Sequence, residues 1–412
     1  MSRTITRKSD VPRYIPIGPD AASKILSDAG RLPPVSLIVT PLEGQNRVRF
    51  DRFLSYKFSS AITIPVDTFQ FTAVAPDDAQ SFDNVVKSGD IVSLFVNDQP
   101  LSTGIIDSVS IETDSQFGEK IEISGRDLMS QYEEQDAVSI DNKPIWGDRF
   151  TLRSVIQTLN QNTRFPSDIL LRNTPNLGGL LFATEPGETK LSALQRFLEP
   201  LNLLAWTDPA GRIVIGRPSM KAAESRGTFI VSKERRFSNV LDIKVTRSTA
   251  TIPNIIVPIF PVQEASQFVT TTQQQVNNTL SGPERLRKLG HRLPKTTIIN
   301  HPQGASAQDF SEANRINRNP DFKSLVRAYA DRELARYNMG DMLVQVVVPR
   351  HINDNGEPFQ PDQCYKIEYD RGNVDEVMYL YQVEYDLTED RAQTTSLFFC
   401  RLGTIVAGVP TK

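Results

Sequence analysis

Hydrophobic and polar positions alternate along much of the first third of the chain. From Val35 to Ser124, short runs such as VSLIVT, TFQFTAV and EKIEIS alternate with a period of two or are dense in β-branched residues. Gly, Pro, Asp and Asn separate these runs. This pattern predicts short antiparallel strands in a barrel or sandwich.

The period of the pattern becomes helical between Trp146 and Pro218. Thr151 is a suitable N-cap for a helix whose apolar residues fall on one face, and a second apolar stripe begins at Leu191. A turn signal from Asp208 to Gly211 then separates two strand-like runs. We therefore predict a small α/β unit inside a protein that is otherwise mainly β.

Strand patterns return in the last part of the chain, on both sides of a polar stretch. Residues 251–320 are rich in Gln, Asn, Thr and Pro, and a loop of that length is improbable unless it is functional or ordered by a partner. Asp321 is a plausible N-cap for a helix ending before Gly340, after which strand-like runs such as MLVQVVV resume.

The two β blocks share an order of elements that suggests an internal duplication. Each has a Gly-Asp pair before a strand, Gly89-Asp90 in the first block and Gly340-Asp341 in the second, followed by a turn-rich excursion and a closing strand. The predicted fold is two related antiparallel β-barrels joined by a small α/β unit. The predicted segments are an N-terminal arm (1–33), the first barrel (34–140), the α/β domain (141–220), strands of the second barrel (221–250), a polar insertion (251–320), and a helix with the remainder of the second barrel (321–412).

Composition narrows the classes of function. With 46 Lys and Arg against 49 Asp and Glu the net charge is −3, whereas a dedicated duplex DNA binder is usually basic. No run of 18 uncharged apolar residues and no signal-peptide pattern occurs, so we expect a soluble protein without membrane insertion, made and assembled in a cytoplasm. Cys364 and Cys400 lie in strand-like runs, where a buried free thiol is the ordinary interpretation.

Candidate chemistry is sparse. The three histidines (His291, His301 and His351) lie in polar, loop-like sequence without metal-site spacing, and we expect them to be solvated. The carboxylates Glu133, Glu134 and Asp136, and likewise Asp375 and Glu376, are expected on exposed turns; no carboxylate pair in a cleft can be located. PGETK, which begins at Pro186, is interpreted as a turn before a helix, and the basic run 285–295 as a solvated or protein-contacting loop. We predict no enzymatic activity, no cofactor and no metal.

Two segments carry a likeness to known proteins. One runs from Ser88 to Val138 and includes TGIID and SGRDL; the other runs from Gly187 to Pro218. Both resemble the phage baseplate hub and tail protein D family, which includes the Mu-type tail protein, the late-control D protein of P2-like phages and the T4 hub, and which is related to the N-terminal part of type VI secretion spike proteins. The region from Gly340 to Leu402 is similar to the family's second barrel. The family-pattern positions are Gly89, Asp90, Gly104, Gly125, Arg126, Asp127, Gly340 and Asp341.

The resemblance implies a homotrimer in which two barrels per subunit form a ring of six similar units. The internal duplication gives the same number, since two barrels in each of three chains make six similar modules. The implied protein is a structural hub of a contractile tail baseplate in the virion. Its implied partners are tail tube or tube-initiator proteins, a central spike protein and baseplate wedge proteins, while DNA only passes through the channel. The alternatives are a receptor- or carbohydrate-binding tail β protein, a polysaccharide hydrolase on a β scaffold, and a spike component of a type VI-like secretion system.

Overall fold

A computed structural model shows how these patterns are folded. The structure describes residues 35–42, 47–74, 86–114, 118–139, 141, 143–161, 163–165, 167–172, 174, 180–201, 203–218, 225–231, 238–248, 255–261, 268–270, 275–276, 295–298, 339, 341–388 and 393–405.

Seven strands form the first β block, and they alternate buried and exposed residues as the sequence predicts. All of their pairings are antiparallel, in the order β2-β1-β5-β6-β7-β4-β3. The strands are β1 (Val35–Thr40), β2 (Val48–Phe50), β3 (Ser55–Ala61), β4 (Ile64–Val74), β5 (Ile91–Val96), β6 (Gln99–Asp114) and β7 (Gly118–Asp127).

A compact α/β unit follows directly on β7. Two small sheets, β10-β8 and β11-β12-β9, pack with the helices around a separate apolar core that begins at Met129 and ends at Ile215. The elements are α1 (Ser130–Glu134), β8 (Trp146–Phe150), α2 (Leu152–Asn160), β9 (Ile169–Arg172), β10 (Leu180–Ala183), α3 (Lys190–Leu198), a 3-10 turn (Glu199–Leu201), β11 (Leu204–Thr207) and β12 (Ile213–Gly216).

The predicted helix starts and turns in this unit are confirmed. Thr151 accepts the backbone N–H of Ser154 at 3.1 Å, and Ser154 Oγ accepts the N–H of Thr151 at 2.8 Å, which makes a capping box. Thr189 caps α3, directly after a turn in which Gly187 has a φ of +77°. The PGETK motif is therefore a turn that leads into a helix.

The second β block is assembled from both sides of the long polar stretch. Its main strands pair in the order β14-β19-β22-β21-β20-β13, antiparallel except for β20 with β13. Within the polar stretch the backbone forms a small separate sheet, β15 to β18, which the sequence did not predict. The strands are β13 (Ser225–Val231), β14 (Asp242–Arg247), β15 (Ile255–Pro261), β16 (Phe268–Thr270), β17 (Gln275–Val276), β18 (Lys295–Ile298), β19 (Met342–Val348), β20 (Gln363–Tyr369), β21 (Val374–Leu387) and β22 (Thr394–Arg401).

The two β blocks repeat one strand arrangement. Six strands of the first block have a counterpart in the second. In chain order, these are β1, β3, β4, β5, β6 and β7 in the first block and β13, β14, β19, β20, β21 and β22 in the second. Neighbouring strands follow the same order in both blocks, β3-β4-β7-β6-β5-β1 and β14-β19-β22-β21-β20-β13. The long strands β6 and β21 both carry a register shift, at Ile106/Ser108 and at Leu380/Gln382. The outermost pairing differs, since β1 is antiparallel to β5 whereas β13 is parallel to β20.

This arrangement places the two Gly-Asp pairs at different positions of the repeat. Gly89 and Asp90 precede β5, whereas Asp341 precedes β19, the counterpart of β4. Gly340 itself lies outside the described residues. The duplication is therefore carried by the strand order and the shared bulge, and the Gly-Asp pairs are not equivalent positions.

A single sheet and a single core connect the blocks. The strand β21 pairs with β3 of the first block through its last six residues, so that 13 strands form one hydrogen-bonded sheet. Buried residues of both blocks, such as Phe58 and Val383, belong to the same apolar cluster. The predicted fold class, mainly antiparallel β with a small α/β unit, is confirmed.

Candidate functional site at the junction of the β blocks

The junction of the two blocks is an antiparallel ladder between β3 and β21. In its register Tyr385 lies opposite Phe58 and Asp386 lies opposite Lys57. The rings of Phe58 and Tyr385 are 5.8 Å apart, both side chains are buried, and the Tyr385 hydroxyl donates to the backbone oxygen of Phe359. Main-chain pairing and an aromatic core thus fix the angle between the blocks.

Beside this ladder a buried chain of hydrogen bonds crosses the junction through His351. Its Nε2 is 2.6 Å from the Tyr56 hydroxyl, and its Nδ1 is 2.6 Å from the Thr395 hydroxyl. Thr395 donates its one hydroxyl proton to the Arg350 backbone oxygen at 2.8 Å, so it accepts from Nδ1–H. Nε2 is then the acceptor for Tyr56, whose oxygen in turn accepts from the Gln393 amide. One neutral tautomer of His351 satisfies every step.

The sequence prediction of a solvated His351 is wrong. The side chain has no exposed surface, and burial lowers its pKa from 6.5 to about 3. The polar flanks of His351 suggested a loop, but the imidazole packs against Tyr385 with ring centroids 4.8 Å apart. Two hydroxyl partners make this burial tolerable for an uncharged imidazole.

A cleft of about 280 Å³ opens where the two β blocks and the α/β unit meet. Arg172 of β9 forms an ion pair with Asp362, which also accepts from the Tyr379 hydroxyl at 2.9 Å. On the other side, the Thr103 hydroxyl donates to the Pro209 backbone oxygen at 3.1 Å. These polar contacts attach the α/β unit to the second and the first block respectively.

Two carboxylates that the sequence did not connect face each other beside this cleft. Extending the β4–β7 register by one residue places Asp67 opposite Asp127. Asp127 is fully buried and accepts the Met129 N–H at 3.0 Å and the Thr207 hydroxyl, while Asp67 accepts the Ala61 N–H at 3.3 Å. Sequence analysis located neither member of this pair.

Both carboxyl groups are hard to ionise. Burial raises the pKa of Asp127 to about 7, and burial together with the charge of Asp127 raises the pKa of Asp67 well above its usual value. Only Asp67 lines the cleft, since Asp127 is enclosed by its hydrogen-bond partners. The pair can hold a proton between two strands and presents one carboxyl group to the cleft. The two other carboxylates that line the cleft, Asp208 and Asp362, each form an ion pair with an arginine.

The glycines of the family pattern allow β6, β7 and β4 to approach closely. A Cβ on Gly104 would collide with the backbone oxygen of Arg126, and a Cβ on Gly125 would collide with that of Ile105 and with the Phe69 ring. Gly125 of β7 lies opposite Ile106, at the bulge of β6, and Gly104 lies two residues before Ile106. Gly104 and Gly125 are therefore packing positions.

Arg126 forms hydrogen bonds with the acidic residues around the same bulge. It donates twice to Asp107, at 2.7 and 3.0 Å, and also to Glu133 at 3.1 Å and to Glu134. The hydrogen bonds that the guanidinium donates to Asp107 and Glu134 raise its pKa. Glu133 and Glu134 are exposed, as the sequence predicts, and they act as partners of Arg126.

The two remaining aspartates of the pattern join chain segments. Asp90 is buried and accepts the backbone N–H of Leu42 at 3.0 Å and of Lys87 at 2.8 Å, and the adjacent Gly89 has a φ of +89°. Asp341 accepts from Arg401 at 2.5 Å. In the first block the pattern thus forms one structural cluster on β5, β6 and β7, and Asp341 lies in the second block.

Several expectations can be compared with the described residues and others cannot. Cys364 and Cys400 are free and buried, as predicted, and burial raises the pKa of the Cys400 thiol to about 12. Within the described part of the chain no three His, Cys, Asp or Glu side chains are placed to hold a metal ion. None of the described helices is long and apolar enough to span a bilayer. The N-terminal arm, His291, His301, most of the basic run 285–295 and the helix predicted after Asp321 lie outside the described residues.

Comparison of the whole chain with known proteins gives matches only at the level of structure. No protein-family model matches the sequence, and no curated protein matches it. A tail protein from Neisseria meningitidis MC58 superposes with a TM-score of 0.68 at 18% identity, over 92% of this chain and 99% of that chain. The 43 kDa tail protein of prophage MuSo2 from Shewanella oneidensis gives a TM-score of 0.63 at 13% identity, over 90% and 99%.

A secretion-system protein has the same fold. The E. coli c3393 protein, a type VI secretion component with structural similarity to the T4 tail proteins gp27 and gp5, superposes with a TM-score of 0.51 at 11% identity, over 91% of this chain and 79% of that chain. Identities this low establish the fold alone. The predicted resemblance to phage tail proteins is confirmed at that level.

Proposed function

We propose that this protein is a structural component of a contractile phage-type tail, the hub of the baseplate, and that it acts as a homotrimer. The observation that supports the proposal is the repeated strand order of the two β blocks, on a fold found in phage tail proteins. Three copies present six similar blocks around one axis, so the ring has true threefold and approximate sixfold symmetry.

Such a ring acts as a symmetry adaptor between two kinds of partner. Its sixfold face matches a hexameric tail tube or tube initiator, and its threefold face matches a trimeric central spike, with wedge proteins outside the ring. The net charge of −3 is compatible with a channel that lets DNA pass, because a strongly basic lining would retain it through phosphate contacts.

A non-enzymatic role agrees with the chemistry of the junction. The polar groups there hold chain segments together, as in the Tyr56–His351–Thr395 chain and in the contacts of Arg126. The second carboxyl group of the buried pair, Asp127, is enclosed by protein and does not line the cleft. We therefore assign the geometry of this region to assembly, with no cofactor.

A spike component of a type VI-like secretion system is the second candidate, favoured by the superposition on the E. coli protein. Both candidates use the same fold, and they differ in the partner that the ring accepts. A receptor- or carbohydrate-binding tail protein differs from both because it needs no ring.

The test is the native mass of the full chain, alone and mixed with the spike protein from the same gene neighbourhood. We expect a species of about 138 kDa, three times the 46.1 kDa chain, in at least one of the two conditions. A stable 46.1 kDa monomer in both conditions would overturn the proposal. Binding of isolated tail tubes rather than secretion tubes then separates the two candidates.

A further inference from the structure

The duplication leaves one pairing of the molecule without its counterpart. The outer strand of the first block, β3, pairs with the last six residues of β21. The first seven residues of β21 pair with β20 along the same edge. The counterparts of β3 and β21 are β14 and β6. Among the described residues, β14 pairs only with β19, and β6 beyond Ile105 pairs only with β7.

The matching residues follow from the registers. The bulge aligns Ser108 of β6 with Gln382 of β21, since they lie opposite Ser124 and Phe398 respectively. Reading across β4 and β19 aligns Phe58 of β3 with Val245 of β14. The segment of β6 that corresponds to the β3-binding part of β21 is therefore 108–113.

The exposed side chains on the edges of β14 and β6 have complementary charges, as do the side chains that face each other in the β3–β21 ladder. In the internal ladder Lys57 lies opposite Asp386. The aligned residues on the free edges are Lys244 and Glu112, again a cation and a carboxylate, and both are exposed. Charge complementarity is thus repeated at an edge that has no partner within the described chain.

The apolar pair of the junction is repeated as well. Phe58 lies opposite Tyr385 in the internal ladder, and the aligned residues on the free edges are Val245 and Ile111. Ile111 is 38% exposed, which is unusual for a large apolar residue in the middle of a strand, whereas its counterpart Tyr385 is 1% exposed. A second copy of the chain would cover it.

We propose that β14 of one subunit pairs antiparallel with residues 108–113 of β6 in the next subunit, in the register that the β3–β21 ladder displays within each chain. The inference rests on the proposed trimer and names its interface. Val245 then lies opposite Ile111, and Lys244 opposite Glu112. Alternating internal and intersubunit ladders join six blocks into a closed ring, so no edge of this kind stays open.

Disulfide trapping tests the register directly. Opposite residues of an antiparallel pair have Cα atoms about 4.5–5.5 Å apart, within the range for a disulfide bond. The full-length Ile111→Cys/Val245→Cys variant is oxidised and compared on non-reducing gels with Ser110→Cys/Val245→Cys, whose side chains project from opposite faces. We expect covalent dimers and trimers at about tenfold or more over the shifted control. The native Cys364 and Cys400 are buried and present in both variants.

A charge exchange provides a second, independent measurement. Glu112→Lys and Lys244→Glu should each weaken the native trimer several-fold, and the double variant should restore it, because each interface then pairs the same charges in exchanged positions. Neither residue belongs to the internal junction. Because Glu112 lies opposite Lys120 within its own chain, urea unfolding of each variant is the control for the folded monomer.

The outcomes separate the interface from the trimer. A native trimer that gives equal trapping in both cysteine variants, or no rescue in the double charge variant, overturns the β14–β6 pairing and leaves the hub proposal standing. A protein that is monomeric with and without its spike partner overturns both. Register-specific trapping together with charge rescue supports the pairing.

Discussion

Replacing the buried His351 with glutamine should change how the stability of the protein depends on pH. Glutamine can accept from Tyr56 and donate to Thr395, but it does not titrate. The pKa of His351 is about 3 in the folded chain against 6.5 for an ordinary histidine. Between these values the unfolded chain binds a proton that the folded chain does not, so this residue's contribution to stability is complete above pH 6.5 and declines as the pH falls towards 3.

The size of the effect follows from the same shift. One proton of difference is equivalent to about 1.4 kcal/mol per pH unit, so the wild type should lose roughly 2 to 3 kcal/mol relative to His351→Gln between pH 6.5 and pH 4.5. At pH 7.5 the wild type should be the more stable protein, because the imidazole fills its site and the glutamine fits less closely.

Urea unfolding of both proteins at a series of pH values measures this difference. Taking the difference between variants removes the contribution of every other titrating group that the two chains share. A gap that stays constant from pH 7.5 to pH 4.5 would show that His351 is protonated or exposed in the folded state, and the reasoning from the hydrogen-bond chain would then be refuted.

Two further predictions concern the strands beside the cleft. Asp127 has a pKa of about 7, above its ordinary 3.8, so its contribution to stability is present at low pH and lost as the pH rises through 7. The free energy of unfolding of Asp127→Asn should therefore rise relative to the wild type by about 1.4 kcal/mol per pH unit between pH 5 and 7. A difference in urea unfolding that does not change with pH would contradict this. Gly125→Ala should lower stability by about 2 kcal/mol or more in thermal unfolding, because its Cβ would meet the Ile105 oxygen and the Phe69 ring. Gly227→Ala is the matched control, since its nearest neighbour is 3.5 Å away, and equal losses in the two variants would contradict the packing role.

The sequence predicted correctly those features that depend only on residues close together in the chain. Alternation of side chains revealed the strands, and the residues around Thr151 revealed a helix start, because both signals arise from neighbours along the chain. The same local reasoning failed for His351. Its neighbours in sequence are polar and form a turn, and its burial depends on Tyr56, which is 295 positions away.

Long-range pairing also explains why the carboxylate pair was missed. Asp67 and Asp127 face each other only because β4 and β7 pair in one particular register, and the local patterns of the sequence do not reveal which strands pair or in what register. The duplication could be predicted, but through the wrong residues. The Gly-Asp pairs are turn signals, whereas the repeat is preserved in the strand order and in the bulges of β6 and β21.

The ladder between β3 and β21 joins parts of the chain that are synthesised far apart in time. Gln382, the first residue of β21 that pairs with β3, follows its partner Ala61 by 321 positions. At about 5–20 residues per second, the edge of β3 waits roughly 16 to 64 s on the ribosome for its permanent neighbour. During that interval nascent chains on one polysome expose identical unpaired edges to each other. The order of translation therefore gives copies of this chain time to pair prematurely, and slower synthesis lengthens that time.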